Sequence, residues 1–575
     1  MRRLLPRLTA LLLVAAGLIS AQSDNATLAA EPIFELPKLT VNEPADLPEL
    51  ERWHYTRLDS FEILACGNER DIRKLLVDFQ KFRQAVKLVW PVPIKPLAAS
   101  TLLLCGEKGR YDAFLPADLR DSESPLPSLF LRNREQIAIV VDLQTTRVSI
   151  LDPMATLNAA SSAAEYEVDH YRQLYREYVH YLLSQSEARP PAWLKEGLAQ
   201  IIMDVELTDR SLIYGKINTF KGDVSGVSPL EPGEDADAAA PTAVVGERPF
   251  NAVLQTRRLM PLGEFFAVDP DSEIARSPLG NNLWAKQAYA FVHYCMFGAN
   301  LRHKEALITF VGRLAQEPLS EELFKECFKT GYKGMVDELN GYLRHTRHKY
   351  QQYNLQATDR LTPASIELTE ASAGLVGLLK GDALQLAGHP EAAYTEYRNA
   401  YRRGARDAAL LAGLSATVPN SEMAAKFTDE AVKAGANRPS AFVRQARNRL
   451  AVFKADPGPD GKLTQQQLAA VLSPLFKARS LPPPLPELYE TIAETWALSS
   501  VSPKPEHLAV LDEGVRRFPR DSALLHQTSL LYQRIGNTDT AAAIARLGLR
   551  YAADEAAKAQ FNSLLSLLPT TAGLK

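Results

Sequence analysis

Cysteine is scarce in this chain: 575 residues carry four, Cys66, Cys105, Cys295 and Cys327, and no two form a C-x-x-C pair. A cysteine zinc knuckle is therefore excluded. An excess of one charge is also missing. The formal net charge is −3, too little to argue for nucleic acid or an anionic membrane surface as partner. After the N-terminal stretch no run is apolar enough to cross a bilayer. No G-x-S-x-G, no P-loop and no G-x-G-x-x-G occurs, so the familiar serine-nucleophile and phosphate-cradle patterns have no candidate. What is present is ordinary for a soluble globular protein, with 46% hydrophobic and 23% charged residues. The length is too great for one core, and about two to four domains are expected.

Arg2, Arg3 and Arg7 precede an apolar run from Leu8 to Ser20 that ends at a small residue, Ala21. This is the order of a secretory signal peptide over 1–21, and it predicts an exported chain, periplasmic or extracellular, with no transmembrane segment once the signal is removed. The alternative is an uncleaved N-terminal anchor. Residues 22–50 are Pro-rich and acidic and read as a linker. Cys66 and Cys105 end two similar apolar runs, "FEILACG" and "TLLLCG", that neighbouring strands would bring close. An exported chain permits disulfides, and both a Cys66–Cys105 or Cys295–Cys327 pairing and a set of buried thiols remain open.

Alternation predicts a strand at Phe61–Gly67, and helical spacing of Ile72, Leu75, Leu76, Phe79, Phe82, Ala85 and Val86 predicts a helix over Asp71–Leu88. Further strands are expected at Leu102–Cys105, Ser128–Leu131, Ile137–Asp142 and Arg147–Leu151, with helices from about Ala163 to about Tyr353. Residues 222–248, rich in Gly, Ala, Pro and acid, read as a mobile insertion. The organisation is thus an α+β domain over 51–355 followed by an all-α domain of helical hairpins over 370–570.

Two stretches of the second domain share one spacing. Gly381, Leu384, Gly388, Ala393, Tyr397 and Ala400 have the same offsets as Ser529, Tyr532, Gly536, Ala541, Ala545 and Gly548. This resembles the tetratricopeptide repeat (TPR), a helix–turn–helix unit with a period of about 34. The resemblance implies stacked hairpins with a concave surface for a protein or peptide partner. "LPPPLP" at Leu481–Pro486 is expected to interrupt the array. "DPGPDGKLTQQQ", Asp456–Gln467, has the rhythm of a calcium loop but carries Gly458 at the third position and Gln467 at the twelfth, so it reads as an inter-helix loop.

The chemistry concentrates in "YREYVHYLLSQSEARPPAWLKEGLAQ", Tyr175–Gln200. Arg176, Glu177 and His180 stand where His-Glu-x-x-His would put two imidazoles on one helix face with a general base between them. Glu196 follows in "WLKEGLA", sixteen residues after His180. The strip resembles the gluzincin metallopeptidases, in particular the peptidase-MA-like group. That resemblance implies His180 and Glu196 as zinc ligands and Glu177 as the base, with Tyr289 or His293 as oxyanion stabilisers. Arg176 departs from the pattern. A guanidinium has no lone pair and cannot ligate, and catalytic zinc takes three protein ligands.

Two readings follow. In the first the metal is lost, Arg176 pairs with Glu196 or Glu177, no cofactor is bound, and the domain is a pseudoenzyme on a binding or scaffold protein. In the second the chain is an active zinc peptidase with a substituted ligand, His293 being the better substitute than His170. Ser184, one turn after His180, lacks an oriented acid and makes a poor triad. His345 and His348, in "RHTRHK", are expected at a solvated basic helix end.

Overall fold

A computed structural model describes residues 51–568 apart from 90–97, 108, 120–125, 152–162, 186–189, 209, 218–243, 246–249, 251–253, 255–256, 271, 273, 276–281, 316, 346–347, 357–360 and 553. The signal-peptide and linker segments, and the 222–248 insertion except Val244–Val245, lie outside the described residues.

An α/β region comes first. Strands β1 (His54–Leu58), β2 (Phe61–Cys66), β3 (Ala99–Cys105), β4 (Ser128–Arg132), β5 (Gln136–Asp142) and β12 (Thr369–Glu370) form one sheet in the order β12-β1-β2-β3-β5-β4. The centre, β2-β3-β5, is parallel, while β1 and β4 join it antiparallel. Parallel strands are covered on both faces and read as continuous apolar runs, as "ILAC", "LLLC" and "IAIVV" do. One face is covered by α1 (Glu69–Val89) and α2 (His170–Ser184). Phe61 of β2, Phe79 and Phe82 of α1, and Tyr178 and Tyr181 of α2 meet there in edge-on, tilted and stacked pairs. Cys66 and Cys105 are Cα partners in the β2–β3 ladder. They are thiols, as are Cys295 and Cys327.

Ala163–Glu167, expected as the start of the helices, is strand β7, paired with β6 (Arg147–Leu151) and β10 (Val244–Val245). Helix α2 begins only after Val168, where the Asp169 side chain accepts from the Tyr171 and Arg172 amides. Next come α3 (Ala192–Met203), β8 (Glu206–Leu207) and β9 (Ser211–Tyr214), then α4 (Leu262–Ala267) and α5 (Leu283–Phe297). Helices α6 (Lys304–Leu314), α7 (Glu321–Phe328) and α8 (Tyr332–Leu343) complete this part. Gln351–Asn354, expected as helix, is β11, paired with β9. His348 is half-buried rather than solvated: its ring packs on Phe250, His293 and Tyr342.

Helical hairpins follow: α9 (Ala373–Leu386) with α10 (Pro390–Arg402), α11 (Ala408–Thr417) with α12 (Ser421–Lys433), and α13 (Pro439–Ala455) with α14 (Gln465–Arg479). Then come α15 (Pro486–Ala497), α16 (Pro505–Arg517), the pair α17 (Ser522–Arg534) with α18 (Thr538–Tyr551), and α19 (Glu555–Leu567). The shared spacing has a steric basis. Gly388 and Gly536 close the first helix of their hairpins at φ +83° and +82°, a left-handed conformation that favours glycine. Gly381 lies under the Tyr397 ring, where a Cβ would stand 2.4 Å from a ring carbon. Leu481–Pro486 does not interrupt the array, since α14 packs on α15 across it.

The Asp456–Gln467 segment joins α13 to α14, and its twelfth residue has a local task. Thr464 Oγ1 accepts from the Gln467 amide, while Gln467 Oε1 accepts from the Thr464 amide, a reciprocal cap. Thr464→Ala should cost about 1 kcal/mol, read as a lowered urea midpoint at unchanged slope.

Candidate functional site

Three elements position the site. Helix α2 carries Arg176, Glu177 and His180 on adjacent turns, α3 carries Glu196, and the edge strand β4 carries Ser128. Helix α2 is fixed by the aromatic cluster above. Helix α3 is fixed by Trp193, packed among Phe265, Phe266, Phe291 and Phe310, and by Gly197, which lets it approach α5 at Ala288 and Val292.

The four side chains close a ring of charge. Arg176 Nη2 donates to Glu196 Oε2 at 2.8 Å, and Nη1 lies 3.9 Å from Glu177 Oε1. His180 Nδ1 is 3.2 Å from Glu177 Oε2, and its Nε2 is 3.9 Å from Glu196 Oε2. Ser128 Oγ donates to Glu177 Oε1 at 2.8 Å, and Gln200 Nε2 donates to Glu196 Oε1 at 2.7 Å. Lys286 Nζ in turn donates to Gln200 Oε1 at 3.2 Å. Arg176 is 7% exposed, and Glu177 and Glu196 are each 3% exposed. His180 keeps a more open edge, facing the Phe130 ring.

Burial pushes the Glu177 carboxyl up, but the His180 hydrogen bond and charge, then Arg176 and Ser128, outweigh it and hold the group below its ordinary range. Burial acts on Glu196 likewise, and the Arg176 and His180 charges with the Gln200 and Arg176 hydrogen bonds pull it down. Both groups therefore ionise at lower pH in the folded chain than in the unfolded one. The stability they confer is present above the ordinary value of 4.5 and is lost as pH falls through the depressed folded values. Thermal melts from pH 6 downward should lose stability on this limb, and Glu196→Gln should flatten it.

The donor set does not fit a zinc ion. One corner is a cation without a lone pair, and the Glu196 oxygen nearest His180 Nε2 already accepts from that cation. Among the described residues, no group of three or more His, Cys, Asp and Glu is placed to hold a metal ion.

The other candidates lie elsewhere. His293 is buried, with Nδ1 2.8 Å from the Tyr342 hydroxyl and Nε2 2.7 Å from the Gly215 carbonyl, so its ring is engaged on both sides. Burial, first, lowers its pKa to about 4, against the Gly215 bond. Tyr289 packs on Phe250 and His293 in the core. Ser184 Oγ donates to the Tyr181 carbonyl rather than to His180. Sequence reasoning missed Ser128, Gln200 and Lys286. No motif marks them, although Gln200 lies one turn from Glu196 and was within reach of helix geometry.

No family model matches the sequence, and no curated protein does. A solved thermophilic TPR protein of Thermus thermophilus is similar at 20% identity, over 33% of this chain and 98% of that one, with a TM-score of 0.26. Among the described residues no helix is long and apolar enough to cross a membrane.

Proposed function

We propose that this chain is an exported binding or scaffold protein. In this reading a gluzincin-like domain has exchanged its metal for an ion pair, and TPR-like hairpins engage a protein or peptide partner. The observation that carries the reading is the Arg176 guanidinium set between Glu196 and Glu177. It supplies the positive charge that two buried carboxylates need, and in doing so ties α2 to α3. Helical hairpins stacked in sequence support the binding role, because such stacks present long continuous surfaces. The sequence carries no P-loop, and its near-balanced charge argues against nucleic acid.

Metal analysis of the purified full chain tests this. Zinc should be absent, and a chelator should leave the melting temperature unchanged. Stoichiometric zinc that disappears in His180→Ala, together with peptide-bond hydrolysis, would overturn the proposal.

A further inference from the structure

The hairpin array is strapped to the α/β region at several separate places. β12 pairs with β1. Lys380 of α9 bridges Glu51 at 2.8 Å and Glu396 at 3.1 Å. His389 Nε2 lies 2.6 Å from the Leu115 carbonyl. The most pointed contact is made by the tight turn between β4 and β5. Asn133 Oδ1 accepts from the Glu135 and Gln136 amides, which fixes the turn so that Arg134 and Glu135 stand at its tip. Glu135 is 9% exposed, and its Oε1 accepts from the Ser440 amide in the first turn of α13 at 2.6 Å. Two arginines of the array feel its charge: Arg438, held by Asp382 of α9, and Arg444, held by Ser415 of α11. Arg134 reaches further along the array and sits over the Phe518 ring, 5.4 Å from its centre, at the α16–α17 connection. Between the turn and Pro483 a gap of ≈ 70 Å³ is left. Two adjacent residues of opposite charge thus meet complementary groups on two well-separated parts of the array.

We propose that the Arg134–Glu135 turn is an internal stopper, covering in cis the array surface between α13 and the α16–α17 connection, and that a partner segment bearing an acidic residue takes its place when the turn is displaced. The inference deepens the binding role proposed above and rests on it. Charge complementarity selects the partner: the Ser440 amide of α13 donates to the Glu135 carboxylate, with the Arg438 and Arg444 charges acting on it from nearby, so a competing segment must bring its own carboxylate. A bound segment would release the turn, and loss of the turn would open the surface.

The probe is a labelled peptide copying the turn, LRNREQIA, followed by fluorescence anisotropy on the full chain. Arg134→Ala/Glu135→Ala should bind it at least about tenfold tighter than the unsubstituted chain. The same peptide with Gln for its Glu should lose that gain, and so should the triple variant that adds Arg438→Gln. A folded double variant that binds no tighter than the unsubstituted chain would overturn the proposal. If the double variant fails to fold, the isosteric Glu135→Gln carries the same expectation. Failure of both to fold would mark the turn as structural cement and overturn it too. Zinc in the metal assay would refute the ion-paired domain but leave this contact standing, whereas no gain in peptide binding would refute the stopper alone.

Discussion

Arg176→Ala is expected to destabilise the chain by about 3–5 kcal/mol, because it removes one partner of a buried ionic cluster and leaves the others uncompensated. Glu196 would lose the donor at 2.8 Å and Glu177 its nearest guanidinium, while both remain almost fully buried. Their pKa values should rise, since burial would then act with less opposition. The loss should therefore be greatest near neutral pH and shrink in acid, where a protonated Glu196 needs no cation. Urea unfolding at two pH values measures this. A cost below about 1 kcal/mol, the range of exposed pairs, would show that the ring is not desolvated as described. Arg176→His is the informative companion. It places a lone pair at that corner while leaving His180 and Glu196 in place, so zinc binding should appear if α2 and α3 keep this geometry.

Gly197→Ala should cost about 1–3 kcal/mol or more, a large effect for one methyl group. A Cβ at this position would lie 2.5 Å from Val292 Cγ2 and 2.6 Å from the Ala288 carbonyl oxygen. Val292 is buried and the carbonyl belongs to helix backbone, so neither can yield cheaply. Helix α3 must tilt away from α5, which carries Glu196 away from Arg176. Gly197→Ala and Arg176→Ala should then be non-additive, since each partly abolishes what the other removes. A double-mutant cycle with full additivity would separate the helix packing from the ion pair. The glycine of "WLKEGLA" is thus a packing residue whose effect reaches the carboxylate beside it.

Much of the fold was legible from local pattern. Strands β2 to β5 of the main sheet announced themselves as short β-branched and leucine runs, and α1 by its apolar stripe, because each of these signals depends on neighbours in sequence. The short strands β1, β7, β11 and β12 were not legible. Two to five residues carry little periodicity, and strands far away in sequence complete their pairing. The Asp456–Gln467 segment shows the same limit differently. Its missing ligands already marked it as an inter-helix loop rather than a calcium site, but the helix cap its glutamine makes is seen only in the geometry.

The site divides along the same line. Sequence alone determined that Arg176, Glu177 and His180 share a stretch of one helix, that Arg176 has no lone pair to offer a metal, and that Glu196 follows on a second helix. These are consequences of a 3.6-residue period and of side-chain chemistry, both local. Only the tertiary structure decided which carboxylate the guanidinium meets, that Ser128 and Gln200 complete the ring, and that His293 is engaged by Tyr342 and Gly215. It also decided that Glu135 is buried against α13, more than 300 residues away. Such pairings depend on how buried surfaces dock, and long-range docking is set by the whole core rather than by the residues that finally touch.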